Sequence, residues 1–237
     1  MNIAENIFLF NKPYRWTSFD VVRKVKGAII AAMKREALDP TQRIKLKVGH
    51  AGTLDPLATG LLVVCTGSFT KKIQDIQDAE KEYTGTFFLG AETASHDLES
   101  EVVMRQDVKT LDPILLEETL KSFIGKQQQT PPAFSAVKID GKRAYSLARK
   151  GETPLIKSKE IDVIEFEITN LNLPEIHFRI KCSKGTYIRS LANDFGRKLG
   201  TGAYLSSLCR TRIGKYQLNE AVDPLEFCLQ LSGKQVD

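Results

Sequence analysis

The stretch GHAGTLDPLATGLLVVC, residues 49–65, joins a glycine-rich loop directly to a continuous apolar run. The run Leu61–Cys65 has no polar residue and the length of a strand, which predicts a buried strand. The loop before it contains three glycines and a proline around Asp55. Glycines let a backbone approach a ligand closely. The stretch therefore predicts a compact loop that leads into a core strand.

Asp55-Pro56 differs from the other Asp-Pro pairs of the chain. Asp-Pro is common turn chemistry, and it also occurs at residues 39–40, 112–113 and 223–224. None of these three pairs is framed by glycines and a histidine, whereas Asp55 has His50 five residues before it. His50 could stack on a nucleic-acid base or hydrogen-bond to it. Residue types alone leave two interpretations open here, a structural turn and a catalytic loop.

The hydrophobic pattern on both sides of this loop predicts interspersed strands and helices. Strands are expected at 7–10, 61–65, 81–89, 161–171 and 176–183. Helices are expected from Ser18, a candidate N-cap, to about Glu36, over 113–124 before Gly125, and up to Leu199. Because strands and helices do not alternate regularly, an α+β fold is favoured over a doubly wound sheet. Residues 127–157 are polar and rich in proline and glycine, which indicates an insertion away from the core.

The charge distribution indicates a polyanionic partner more strongly than the net charge does. The chain has 237 residues, with 34 Lys and Arg against 29 Asp and Glu, for a net charge of +5. Residues 179–215 contain nine basic residues and one acid, and residues 138–159 contain seven basic residues and two acids. This segregation predicts one positive face. A solvated surface that happens to be basic is the alternative.

The remaining composition predicts a soluble cytosolic protein without a metal site. The four cysteines and three histidines are scattered, with no CxxC pair and no zinc spacing. Reduced thiols are therefore expected. The N-terminal residues lack the basic region of a signal peptide. No apolar run approaches the roughly 20 residues that cross a bilayer.

Six ordered motifs across the chain resemble the TruB-type tRNA pseudouridine synthases. The loop around Asp55 is similar to that family's catalytic motif, Gly-His-x-Gly-x-Leu-Asp-Pro-x-Ala-x-Gly, in which the aspartate is essential. Residue 15 departs from the family, which usually has glycine where this chain has arginine. The other matching segments are residues 12–18 (KPYRWTS), 81–85 (KEYTG), 127–149 (including PPAFSAVKIDGKRAYSLAR), 185–189 (GTYIR) and 202–210 (GAYLSSLCR).

The resemblance implies a pseudouridine synthase fold over residues 1–237. That fold has a central mixed, mostly antiparallel sheet flanked by helices, and here an RNA-binding thumb insertion at about 127–157. Many family members carry a C-terminal PUA-type RNA-binding domain. Only about 20 residues follow 215–218 in this sequence. A complete PUA domain is therefore not expected.

The resemblance also assigns roles to particular residues. Asp55 is expected to be the catalytic carboxylate. Substrate contacts are expected from His50, Tyr83, Tyr187, Arg189 and Leu208, and RNA-backbone contacts from Lys138, Lys142, Arg143 and Arg149. Without the resemblance, Tyr83 and Leu208 would be interpreted as core residues. Arg189 would be interpreted as a phosphate contact, and the four thumb cations as solvated surface charges.

The implied reaction is the isomerisation of a T-loop uridine of tRNA, uridine 55 in standard tRNA numbering, to pseudouridine. The base is expected to be flipped out of the RNA loop at a cost of a few kcal/mol, and no cofactor is expected. The implied partner is the T-arm of tRNA, bound by a cytoplasmic monomer without a guide RNA. The alternatives are a non-catalytic tRNA-binding protein or RNA chaperone on the same scaffold, and a guide-RNA-dependent synthase.

Overall fold

The structure, a computed structural model, describes residues 2–37, 41, 43–135, 137–139, 141–148 and 156–233. It divides into two compact units, Met1–Lys81 with Cys209–Asp237, and Glu82–Leu208. That both units form a single catalytic domain stays a prediction. Within the described residues, no helix is both long enough and apolar enough to span a membrane.

The first unit contains strands and helices from both ends of the chain, and its first helix packs against the C-terminal helix. Strand β1 (Ile7–Lys12) pairs antiparallel with β3 (Thr59–Thr66), and β2 (Val48–His50) pairs antiparallel with the last three residues of β3. Phe8, Phe10, Val21, Val25 and Ile29 are buried between the sheet and the first helix. The elements are β1 (Ile7–Lys12), α1 (Ser18–Glu36), β2 (Val48–His50), β3 (Thr59–Thr66), a 3-10 turn (Gly67–Lys72) and α2 (Ile73–Asp78).

The second unit contains a larger part of the sheet. It runs in the order β12 (Ala203–Ile213), β4 (Lys81–Leu89), β11 (Glu175–Cys182), β10 (Lys159–Asn172) and β7 (Gly125–Gln129), and β10 pairs antiparallel with both β11 and β7. The elements from this unit onward are β4 (Lys81–Leu89), β5 (Ala91–Thr93), β6 (Val102–Met104), α3 (Pro113–Ser122), β7 (Gly125–Gln129), β8 (Lys138–Ile139), β9 (Lys142–Arg143), α4 (Ala144–Ala148), β10 (Lys159–Asn172), β11 (Glu175–Cys182), α5 (Ile188–Lys198) and β12 (Ala203–Ile213).

The end of the chain returns to the first unit. Strand β13 (Tyr216–Gln217) pairs with the end of β12, and a 3-10 turn (Leu218–Glu220) leads to α6 (Pro224–Ser232). In this unit the sheet order is β1-β3-β12, and β12 runs parallel to β3 where Arg210 pairs with Gly60. The pairs β1-β3, β2-β3, β10-β11, β10-β7 and β12-β13 are antiparallel. The expected α+β class with a mixed, mostly antiparallel sheet is confirmed.

The predicted strands and helices are confirmed as elements, although most of their ends differ by one to four residues, and two of these differences have a clear physical cause. The N-cap of α1 is Thr17, not Ser18, because Thr17 and Asp20 form a reciprocal capping box. The insertion begins later than residue 127, because Gly125–Gln129 is strand β7 and pairs with β10. Hydrogen bonding to a distant strand, which local sequence does not encode, determines this second boundary.

The basic stretch 179–215 is not uniformly a positive surface. Arg189 and Arg210 are buried. The guanidinium of Arg179 lies 2.8–3.2 Å from the carboxylates of Glu82, Glu165 and Glu167. At least these three of the nine cations in the stretch therefore have structural partners or lie in the interior. The positive face predicted from this segment is weaker than the residue count suggests.

Candidate active site

Helix α1 holds the loop that carries Asp55 through one hydroxyl group. The Ser18 Oγ accepts a hydrogen bond from the Leu54 N–H at 2.8 Å and donates to the Leu54 carbonyl at 3.1 Å. Ser18 and Leu54 are both buried. The residue immediately before Asp55 is therefore fixed to the first turn of the helix.

The side chain of Lys12 fixes the residue immediately after Asp55. Its buried ammonium donates to the carbonyls of Pro13 (2.9 Å), Trp16 (2.5 Å) and Pro56 (3.2 Å). Burial lowers the pKa of Lys12 to about 8, while the nearby Asp55 carboxylate raises it. The Lys-Pro motif thus ties the end of β1 to the Asp55 loop and places a cation near its carboxylate.

Arg210 anchors both ends of the same loop. Its buried guanidinium donates to the carbonyls of Leu61 (2.8 Å) and Gly52 (3.0 Å). Gly60 has φ +99°, and a Cβ atom there would lie 2.4 Å from the Arg210 carbonyl oxygen. Only glycine allows the two backbones to approach so closely.

Asp55 is more exposed than several other residues of its loop. Ala51, Leu54 and Ala58 are buried, whereas Asp55 is partly exposed. His50 ends strand β2, and burial together with the Arg210 guanidinium lowers its pKa. The imidazole is therefore neutral at pH 7, a state suited to stacking or hydrogen bonding rather than to ion pairing.

The second unit holds Arg189 in a fixed direction. The side chain is buried, and its two terminal nitrogens donate to the carbonyls of Ser95 (3.2 Å) and Phe134 (2.9 Å). Its Nε lies 3.6 Å from a carboxylate oxygen of Asp97, which is also buried. A guanidinium held at several points is pre-organised to present its remaining contacts in one orientation.

Tyr187 stands at the N-cap of α5, and its backbone is clamped by one buried side chain. The Gln129 amide accepts a hydrogen bond from the Tyr187 N–H at 2.8 Å and donates to the Tyr187 carbonyl at 3.0 Å. The Lys159 ammonium lies 4.5 Å from the centre of the Tyr187 ring. Gln129 thus fixes the segment that carries both Tyr187 and Arg189.

We expect Gln129→Met to reduce turnover more than RNA affinity. Methionine has a similar length, but it leaves the Tyr187 N–H and carbonyl without their partner, which costs about 1–3 kcal/mol for each buried group. The start of α5 should then loosen. Single-turnover rates and tRNA binding, measured side by side, check this expectation. Gln128→Met, at the exposed neighbouring position on the same strand, is the control. An unchanged single-turnover rate for Gln129→Met would contradict the clamp.

Tyr83 and Leu208 also lie in the second unit. Tyr83 is 9% exposed on β4, and Leu208 is half-buried on β12. In the insertion, β8 and β9 form a hairpin in which Lys138 pairs with Arg143 and Ile139 pairs with Lys142. Arg149 lies outside the described residues. The structure thus supports the strand positions of these residues but leaves their proposed roles as predictions.

Sequence reasoning did not assign a role to several residues that shape the site. Gln129 and Asp97 were not singled out, and Ser18 was interpreted only as a helix cap. Lys12 and Arg210 lay inside recognised motifs without a function. Their partners lie far away in sequence, up to 158 residues for Arg210 and Gly52. A buried cation has no local signature that would have revealed it.

Comparison with known proteins identifies the class of protein to which this fold belongs. The fold resembles that in the solved structure of a Cbf5–Nop10–Gar1 complex, with a TM-score of 0.70 and 26% identity, covering 99% of this chain and 58% of that chain. Residues 38–188 match the model of the TruB family pseudouridylate synthase (N terminal domain). The fold is that of a pseudouridine synthase.

Two relatives match over most of their length. The tRNA pseudouridine synthase B of Flavobacterium johnsoniae is 50% identical over 92% of both chains. The tRNA pseudouridine synthase B of Bacteroides fragilis is 48% identical over 100% of this chain and 99% of its own. This chain belongs to the TruB family of pseudouridine synthases, a family of isomerases.

Proposed function

We propose that this protein isomerises a uridine in the T-loop of tRNA, uridine 55 in standard tRNA numbering, to pseudouridine. The bond between uracil N1 and ribose C1′ breaks, the base turns, and a bond forms between C5 and C1′. The proton on C5 is lost and N1 gains one, so the reaction has no net oxidation or reduction. The proposed chemistry therefore uses side chains of the protein and no cofactor.

The observation that carries this proposal is the fixed presentation of Asp55. Side chains hold the backbone on both sides of it, Ser18 at Leu54 and Lys12 at Pro56. Asp55 itself remains partly exposed. A rigid loop around an accessible carboxylate is the arrangement that a catalytic group requires, whereas a simple structural turn has no need of these anchors.

We assign Arg189 as the ionic partner of Asp55 during the reaction. Its fixed guanidinium supports this role, because a nearby cation favours an ionised carboxylate and a planar fork directs it. Tyr83 is proposed to lie against the target base, with its hydroxyl available for proton transfer at C5. Tyr187 and Leu208 are proposed to line the pocket.

His50 is proposed to take the place of the flipped base or to guide it. Extrusion of the base costs a few kcal/mol, and stacking on aromatic rings returns about 1–3 kcal/mol per base. The neutral state of His50, which follows from its lowered pKa, supports stacking. The clamped backbone of Tyr187 supports a rigid wall of the pocket.

We propose that the enzyme binds the T-arm as a monomer, without guide RNA, in the cytoplasm where tRNA is processed. The insertion supplies RNA contacts through Lys138, Lys142, Arg143 and Arg149. Its β8–β9 hairpin, closed at Gly141 with φ +80°, supports a projecting RNA-binding element.

Replacing Lys142 and Arg143 together by glutamine should weaken tRNA binding and flatten its salt dependence. Each lost phosphate contact lowers the slope of log K against log salt by about 0.7–0.9. Filter binding at several salt concentrations measures this slope. The single-turnover rate at saturating tRNA should stay near the wild-type value. A salt slope unchanged from wild type would remove these two residues from the RNA interface.

The test of the function uses tRNA labelled with tritium at uracil C5. Isomerisation releases the label, so release by the wild-type chain is expected. A failure to release it, with tRNA still bound, would favour a non-catalytic binder. The same assay on an isolated T-stem-loop without guide RNA separates stand-alone action from guide-dependent action.

A further inference from the structure

A groove of about 750 Å³ runs along helix α1 in the first unit. An added Cβ atom at Gly27 would meet nothing within 4 Å, so the groove opens above this residue. Its volume lies in the range of sites that bind molecules of nucleotide size. The lining residues are Arg15, Trp16, Asp20, Arg23, Lys24, Gly27, Ala28, Ala31 and Cys228.

The groove has an excess of positive charge. Arg15, Arg23 and Lys24 line it against a single acid, Asp20. Asp20 is committed to local structure, because its carboxylate caps α1 through Thr17 and pairs with Arg23 at 3.1 Å. Within the described part of the chain, Arg15 and Lys24 form no ion pair. Two cations are therefore available for a negatively charged ligand.

Arg15 stands in a backbone conformation that favours glycine. Its φ is +66°, in the left-handed region, where a side chain costs stability that glycine would avoid. Its guanidinium lies 5.6 Å from the centre of the Tyr14 ring, and Arg15 is one of the residues that line the groove. A strained arginine at a position suited to glycine indicates that the side chain serves a function.

Aromatic side chains accompany these cations. Trp16 lines the groove, and Tyr14 and Phe19 nearby are 50% and 66% exposed. Cations combined with exposed aromatic rings are typical of surfaces that follow a nucleic-acid strand. The combination favours RNA over a small free anion, which needs no aromatic neighbours.

The groove begins beside the Asp55 loop. The Arg15 N–H donates to the Pro56 carbonyl at 2.8 Å, and Pro56 directly follows Asp55. The residue that starts the groove is thus hydrogen-bonded to the loop that carries the catalytic carboxylate. An RNA strand that presents its target base to Asp55 would have flanking phosphates close to this groove.

We propose that this groove binds the phosphate backbone of the RNA substrate, as a contact surface additional to the catalytic loop and the insertion. This inference rests on the proposed function for the identity of the RNA. Arg15 and Lys24 contact phosphates, the small residues of α1 leave room for the strand, and Trp16 packs against a sugar or base.

Binding of unmodified tRNA by charge variants of α1 tests the proposal. Lys24→Gln should weaken binding about five- to eightfold at 0.1 M salt, because one lost contact lowers the salt slope by about 0.7–0.9. Lys26→Gln is the matched control, since it removes the same charge from the same helix outside the groove. Its binding should stay close to that of the wild type. Equal changes in slope for the two variants would overturn the proposal.

A second pair of variants changes the groove without disturbing the core. Gly27→Glu and Gly27→Gln add side chains of equal size into open space, and both improve helix propensity. The glutamate variant should bind tRNA more weakly than the glutamine variant, with equal melting temperatures. Arg15→Gly should likewise weaken binding without lowering the melting temperature. Identical affinities for the Gly27→Glu and Gly27→Gln variants would overturn a phosphate site.

The experiments distinguish a wrong groove proposal from a wrong proposed function. Tritium release by the wild-type chain reports isomerisation, whatever the groove binds. The Lys24 and Gly27 variants leave Asp55 and its anchors in place, so their single-turnover rates at saturating tRNA should match the wild-type rate. If the wild-type chain releases tritium and the Lys24→Gln and Gly27→Glu variants bind tRNA as tightly as the wild type, the groove proposal is refuted and the proposed function stands.

Discussion

Asp55→Asn should lower the rate of pseudouridine formation by at least about 10⁴-fold, the scale seen when a central catalytic group is removed from other enzymes. Asparagine keeps the size and shape of the side chain but removes its negative charge and nucleophilicity. The anchors at Leu54, Pro56 and Gly52 are backbone contacts, so the loop should keep its position. Tritium release measures turnover, and tRNA binding should persist.

The chain offers a matched control at a second Asp-Pro pair. Asp223 caps α6 by accepting hydrogen bonds from Leu225 and Glu226, a role that asparagine also fills well. Asp223→Asn should therefore leave turnover and melting temperature unchanged. Substantial residual turnover in Asp55→Asn, or a comparable loss of tRNA binding, would show that Asp55 is structural.

Arg210→Met should destabilise the first unit by about 3 kcal/mol or more. The substitution leaves the Gly52 and Leu61 carbonyls without their charged donor, and hydrogen bonds to charged groups contribute about 1.5–3 kcal/mol each. For a chain of this size, this corresponds to a fall in Tm of about 6–12 °C. Turnover should also decrease at temperatures at which the protein is still folded, because the start of the Asp55 loop loses its anchor.

Arg210→Lys separates charge from geometry. Lysine keeps the cation, but its single ammonium lacks the planar fork that reaches two carbonyls in fixed directions. In thermal denaturation, the Tm of Arg210→Lys should lie between those of the wild type and Arg210→Met. A Tm for Arg210→Met within about 2 °C of the wild type would mean that the loop is held by its other contacts alone.

Local sequence predicted most of the secondary structure of this chain. The apolar run at 61–65 became the centre of β3, and the patterns at 81–89, 161–171 and 176–183 became β4, β10 and β11. These segments were predictable because burial of one strand leaves its mark on consecutive residues. The motif around Asp55 was also sufficient to predict the family, which the comparisons confirm.

The roles assigned to individual site residues depended on the resemblance. Tyr83, Arg189 and Leu208 have ordinary surroundings in sequence, and composition alone favoured core or phosphate-binding interpretations for them. The structure adds that Arg189 is buried and held by Ser95, Phe134 and Asp97. The pairing of Arg189 with Asp55 stays a prediction.

By itself, the sequence predicted five strands, three helices and the family resemblance of the Asp55 loop. Only the tertiary structure decided what holds that loop, namely Ser18, Lys12 and Arg210. It also decided that Arg179 and Arg210 are structural cations and that Gln129 clamps Tyr187. The physical reason is that periodicity and turn chemistry act between neighbouring residues. Hydrogen bonds of buried polar groups instead join residues that only folding brings together.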